Sequence, residues 1–160
     1  MAVEDKYVNT EVVAQKLAAP YQQGGSDLKV FAQTLEVAAA DDDGSIYRVS
    51  SVPGDAVPVK VEIYNDAITG GTDYDLGFYV SLEKGGAVKD KDALMDGTSM
   101  ASAADAVNGM TALDIADFGK RVYEIAGDDE DSRLPAYDLA LTANTVGTVA
   151  GTITVIMYYA

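Results

Sequence analysis

The chain has no cysteine, no histidine and no tryptophan, and bases are scarce in it: 11 Lys and Arg stand against 26 Asp and Glu. Without cysteine there is no disulfide framework, no thiolate nucleophile and no thiolate metal ligand, and the redox compartment is left open. Without histidine the commonest general base and metal ligand are missing too. Carboxylates, lysine, tyrosine and hydroxyls are what remain for catalysis, so the expectation is a protein that is not an enzyme, with no catalytic, cofactor-binding or metal-ligating residue assigned. The shortage of bases sets a net charge of −15. That field repels phosphate backbones and argues against a nucleic-acid partner; its plain consequence is solubility. Long apolar runs are lacking as well, since no stretch nears the roughly 18 uninterrupted apolar residues of a membrane-spanning helix. The start, "MAVEDKYVNTEVVAQKL", has acids where a signal peptide has bases. Neither a membrane nor an export signal is expected.

What the chain does have is a globular composition, 48% apolar and 23% charged over 160 residues, enough for one core without metal or disulfide staples. From Leu28 onward short apolar stretches are broken by turn signals. These are "ADDDG" at 40–44, "PGD" at 53–55, "NDAITGGTD" at 65–73, "EKGG" at 83–86, "MDG" at 95–97, "NG" at 108–109, "GDDEDS" at 127–132 and "NTVGTVAG" at 144–151. Glycine supplies positive φ in such turns, and Asn and Asp bond back to their own backbone. Between the turns the period is two. Val57, Val59, Val61 and Ile63 alternate with Pro58, Lys60, Glu62 and Tyr64. Tyr74, Leu76, Phe78, Val80 and Leu82 alternate with Asp75, Gly77, Tyr79 and Ser81, and Tyr137, Leu139 and Leu141 with Asp138 and Ala140. Each reads as an antiparallel strand with one covered face. Residues 28–37, 45–52, 120–126 and the C-terminal stretch bring the expectation to seven or eight strands, in the spacing of sandwiches and barrels.

Two regions differ. "NTEVVAQKLAAP" at 9–20 has an Asn/Thr cap signal, Val13 and Leu17 four apart, and Pro20 as a stop, so it predicts a short helix. Residues 1–24 read as an N-terminal arm holding this helix, and 25–160 as the β domain. Through Val12, Val13 and Leu17 the arm reaches a neighbouring subunit or a shell, or else covers one end of its own sandwich. Residues 98–118, rich in Ala and Met and broken by Asn108 and Gly109, predict a helical turn and a loop.

The acid clusters at Asp41, Asp42 and Asp43 and at Asp128, Asp129, Glu130 and Asp131 read as solvated turns, with a structural Ca²⁺ as the alternative; neither has EF-hand spacing. Asp90, Asp92 and Asp96 fall in one stretch, but Leu94 takes a ligand's slot, so a turn is expected there too. Ser99 and Ser102 have no histidine to activate them. Ten tyrosines are left to explain. Tyrosine suits both core packing and subunit contacts, and Tyr79, Tyr158 and Tyr159 sit where they cannot all face one core. The apolar end "TVAGTITVIMYYA" poses the same problem, because a strand-prone stretch left bare invites aggregation. Its second face, with Ile156 and Tyr158, is expected at a subunit contact, together with Tyr79, Val12, Val13 and Leu17.

Taken together, "GSIYRVSSVPGDAVPVKVEIYNDAITGGTDYDLGFYV" at 44–80 and "YDLALTANTVGTVAGTITVIMYYA" at 137–160 resemble the small virion structural proteins of tailed bacteriophages, most closely head decoration, or cement, proteins. The resemblance lies in strands and turns and spans 44–160 with a gap at 90–118. It implies an all-β, antiparallel β-sandwich, jelly-roll-like, preceded by the arm. It implies a non-enzymatic capsid decoration protein, commonly a homotrimer, that binds the major capsid protein on the outside of the head and stabilises the shell, and that is assembled in the host bacterial cytoplasm. It carries no catalytic residue, no cofactor, no nucleic acid and no membrane partner. The alternatives are another virion subunit, such as a tail or head-fibre base, or a carbohydrate- or ligand-binding β-sandwich module.

Overall fold

A computed structural model describes residues 28–160; the arm and helix predicted within 1–24, and with them Val12, Val13 and Leu17, lie outside the described residues. Among the described residues eight strands build the fold: β1 (Lys29–Val37), β2 (Ser45–Pro53), β3 (Pro58–Asn65), β4 (Asp73–Tyr79), β5 (Val88–Thr98), β6 (Ala104–Asn108), β7 (Ala136–Thr145) and β8 (Gly151–Tyr159). Between them lie 3-10 turns at Leu82–Lys84 and Ile115–Asp117 and one helical turn, α1 (Val122–Ile125). The strands form two four-stranded sheets, ordered β1-β8-β3-β6 and β2-β7-β4-β5. All ladders are antiparallel. The pairs β1–β8, β2–β7, β3–β6 and β4–β5 nest like the arms of one long hairpin, and a hairpin of that kind wrapped on itself is a jelly roll. The all-β sandwich expected from the sequence is the fold observed.

The core lies between the sheets, where the period-two apolar residues meet. Val61 and Ile63 of β3 and Ile153, Val155 and Met157 of β8 face Tyr74, Leu76 and Phe78 of β4 and Tyr137, Leu139 and Leu141 of β7, all fully buried. The two core tyrosines keep their hydroxyls satisfied, as burial demands. Tyr74 donates to the Val146 carbonyl at 2.7 Å, and Tyr137 donates to Asp128 Oδ2 at 2.5 Å while accepting from the Leu134 N–H at 2.9 Å. Burial pushes both phenols up to about 12.

Where the chain departs from the sequence reading, bulges and local turns are the reason. Val59 is half exposed because the β3–β8 ladder slips between Pro58 and Lys60, turning that residue out of the alternation. The β4 strand ends at Tyr79, and Leu82 is exposed in a 3-10 turn rather than inward on a strand. The "MDG" at 95–97 is not a turn between strands but part of β5. There three residues of β4 face six of β5, from Leu76↔Met95 to Phe78↔Asp90. Leu94 and Met95 are therefore both buried although adjacent, which erases the period of two. The helical turn expected within 98–118 is replaced by strand β6 and a 3-10 turn, and the strand expected at 120–126 is the helical turn α1. Val122, Tyr123 and Ala126 are buried along a helical arc. The Val122 and Tyr123 N–H groups bond the carbonyls of Ala56 and Gly54, partners that an isolated first turn lacks.

Candidate functional site

A jelly roll leaves two outer sheet faces, and here they differ. On the first sheet the register sets three cross-strand rows: Val30, Tyr158 and Lys60; Ala32, Ile156 and Glu62; Thr34, Thr154 and Tyr64. β8 is central, so its outward side chains sit in the middle of the face. Thr34 and Thr154 share a hydroxyl hydrogen bond of 2.9 Å. Lys60 and Glu62 pair at 2.8 Å, and the Tyr158 hydroxyl lies 3.5 Å from Glu62. Val30 is 59% exposed, while Ile156, Tyr158 and Tyr64 are half-buried. Ile156 and Tyr158, two residues expected at a subunit contact, thus stand side by side on an outward patch whose three rows carry one ion pair, with Glu36, Asp66 and Asp105 beyond it toward Thr152.

The outer face of the second sheet is covered over β4 and β7, while Ile46 of β2 stays 46% exposed at its side. Tyr79 is 2% exposed and its hydroxyl shares a 2.6 Å hydrogen bond with Thr142 Oγ1. This corrects the reading of Tyr79 as a subunit-contact residue: it is covered by its own chain. Gly77 shows how, since a Cβ there would come within 2.0 Å of the Asp90 carbonyl oxygen. Only glycine lets β5 cross so close. Arg48 caps the same surface, pairing with Asp138 at 2.7 Å, donating to the carbonyls of Val80 and Gly86, and stacking over the Tyr79 ring at 5.2 Å. Asp75, 1% exposed, accepts from the Gly97 N–H at 2.9 Å and from Asn144 Nδ2 at 2.6 Å, and pairs with Lys91 at 3.2 Å. Burial pushes its carboxyl up, but these three partners outweigh that and hold it below the ordinary value. A carboxylate so held ties strands together and stays ionised.

The acidic turns spend their carboxylates on their own backbone. Asp41 accepts from the Tyr47 hydroxyl at 2.6 Å and from the Ala38 N–H, partners that lower its pKa. Asp43 accepts from the Val146 N–H, and Asp129 from the N–H groups of Asp131 and Ser132. Five other acids share a surface hollow of about 310 Å³, lined by Asp90, Asp92 and Asp96 of β5 and by Asp114 and Asp117 of the loop after β6. Burial, then the neighbouring Asp92, raise the pKa of Asp90. Among the described residues no three acidic side chains come together closely enough to hold a metal ion. Beside the hollow the loop exposes Ile115, at 90%, and Phe118, at 51%. This surface was not foreseen. Its residues come from two segments brought together only by the fold.

No protein-family model matches the sequence, and no curated protein matches it. Among solved structures, a chain in the capsid of Ralstonia phage GP4 is similar in fold, at a TM-score of 0.59 and 17% identity over 84% of each chain. A chain in the capsid asymmetric unit of cyanophage Pam1 aligns over 99% of this chain and 98% of its own, at 16% identity and a TM-score of 0.49. At 17% identity the first likeness is one of fold.

Proposed function

We propose that this chain is a non-enzymatic virion subunit that decorates the outside of a phage head, self-associating as a trimer through the outer face of its first sheet. The observation that carries the reading is the jelly roll shared with a chain of a phage capsid at a TM-score of 0.59. The site supports the same reading. In a molecule with a net charge of −15, two copies approach most easily where charge is locally balanced and apolar area is on offer. The rows around Ile156 and Tyr158 meet both conditions, and their single Lys60–Glu62 pair adds no net charge. The well-buried acids Asp75 and Asp128 are held by lysines, and the hollow of five aspartates has no hydroxyl or lysine in its lining.

Two measurements test the proposal. Light scattering of the purified protein should give three times the 16.8 kDa chain mass, and Ile156→Asp should reduce it to the monomer, because an unpaired charge in an apolar contact costs several kcal/mol (roughly 2–5). Co-sedimentation with head shells purified without the protein should recover it in the shell fraction. A monomeric wild-type protein overturns the trimer, and a protein that stays in the supernatant overturns the decoration role.

A further inference from the structure

We propose that the loop of residues 111–121 is the surface that docks on the shell, with Ile115 and Phe118 as apolar anchors, and that the shell surface receiving it is basic. The inference rests on the decoration reading above and deepens it by naming the contact and its chemistry.

The loop is held rather than loose. At its start the Ala112 N–H bonds the Leu94 carbonyl and Leu113 is buried; at its end the Val122 N–H bonds the Ala56 carbonyl. Between these anchors the Asp117 N–H bonds the Asp114 carbonyl and the Lys120 N–H bonds that of Asp117, which folds the tip into its 3-10 turn. Ile115 therefore stands 90% exposed on a braced support, and Phe118 is half exposed three residues on. A scattered surface leucine needs no explanation, but two large apolar groups on one braced tip form a pre-organised contact that loses little entropy on binding.

Charge selects the occupant. Five aspartates, Asp90, Asp92, Asp96, Asp114 and Asp117, line the hollow beside the tip. The cations near them in the chain are engaged: Lys89 pairs with Asp128 at 2.8 Å, Lys91 with Asp75 at 3.2 Å and Lys120 with Asp117 at 2.5 Å. A second copy of this chain docking here would bring its own acids against these, and like charges brought together in an interface cost several kcal/mol (order of magnitude). A lysine- or arginine-bearing surface is favoured by the same field. The face around Ile156 is left for the chain's own copies. The two contacts use different surfaces and can form together.

The test is binding of the whole protein to undecorated head shells at about 50 and about 300 mM NaCl, a range over which exposed charge pairs become screened. Wild type is expected to bind and to weaken in the higher salt. Ile115→Ser combined with Phe118→Ser should weaken binding at least about tenfold, as loss of central anchors does, while melting temperature and oligomeric mass stay at the wild-type values. Asp114→Asn combined with Asp117→Asn keeps the anchors and should flatten the salt dependence. If wild type binds and the serine variant binds equally well, the docking loop is wrong and the decoration role stands. Binding by wild type that does not change with salt overturns the basic partner. If wild type does not bind shells at all, the decoration reading falls and this inference with it.

Discussion

A methyl group added at Gly77 has nowhere to go, and the consequence can be worked out from the structure. The ideal Cβ position lies 2.0 Å from the Asp90 carbonyl oxygen, 2.4 Å from the Lys91 carbonyl carbon and 2.6 Å from the Lys91 carbonyl oxygen, all backbone atoms of β5. Since real Cβ contacts essentially never fall under 3.0 Å, β5 must lift by about 1 Å, the difference between 3.0 and 2.0 Å. The φ at Gly77 is not positive, so alanine carries no backbone strain there and the whole cost is steric. Lifting β5 opens the cover over Asp75, Tyr79 and Thr142, at present 1%, 2% and 5% exposed. Overpacking costs about 1–3 kcal/mol, and the need to move backbone places Gly77→Ala at the upper end. For a chain of this size about 3 kcal/mol lowers the melting temperature by roughly 6–12 °C. Gly97→Ala is the reference, because its φ is 60° and nothing lies within 4 Å of the added carbon. That variant bears only left-handed strain, about 1–2 kcal/mol. Urea denaturation followed by circular dichroism and tyrosine fluorescence ranks the two. A Gly77→Ala protein within about 0.5 kcal/mol of wild type, or more stable than Gly97→Ala, would refute the reasoning.

Two further outcomes follow from the closed face. Asp75 and Asp128 have lower pKa values folded than unfolded: burial raises each, but the Gly97, Asn144 and Lys91 bonds at one, and the Lys89 and Tyr137 bonds at the other, more than reverse it. Their stabilisation is therefore complete above the unfolded value of 3.8 and is lost as pH falls through the lower folded values. Asp90, raised by burial and by Asp92, acts in the opposite sense, its penalty fading as pH falls through its folded value. Melting temperature should thus hold from neutrality to just above pH 3.8 and fall steeply below it; an undiminished melt at about pH 2 contradicts the assignment, because carboxylates are protonated there. Tyr79→Phe leaves the Thr142 hydroxyl without its 2.6 Å partner, so it should cost about 1–3 kcal/mol while leaving oligomeric mass unchanged; a change in mass at wild-type stability would put Tyr79 back at a subunit surface.

The strands that could be read from the sequence are those with regular ladders. β8 repeats Ile153, Val155 and Met157 inward without interruption, and its pairing with β1 has no register shift. The outward placement of Ile156 and Tyr158 follows from the same period. β5 was illegible because its ladder to β4 slips three times, so that buried Leu94 and Met95 are neighbours and Gly97 bends the strand instead of ending it. Tyr79 was misplaced for a related reason. Its alternation with Phe78 correctly gives it the outer face of β4, but whether that face is bare depends on β5 crossing above Gly77, a contact between segments that no local period encodes. The hollow is harder still to foresee, since Asp90, Asp92 and Asp96 are joined to Asp114 and Asp117 only after the loop behind β6 folds back along β5.

Net charge alone does not say where such a molecule can be touched. At physiological salt a charge is felt over about 8 Å, so a partner meets the residues of one patch rather than the total of −15. Around Ile156 that patch mixes apolar side chains and threonines with one ion pair. Around Ile115 it is apolar with five aspartates. The hydrophobic term is available at both, but the electrostatic term differs. It is near zero for a second copy at the first patch, repulsive for a second copy at the second, and attractive there only for a basic surface. On the proposed reading the two contacts are kept apart in this way, one apolar surface carrying a balanced pair and the other a cluster of aspartates of which Asp117 is paired with Lys120. If both proposed contacts form, salt acts on them unequally: it screens the second and leaves the first, which depends on buried apolar area, nearly untouched.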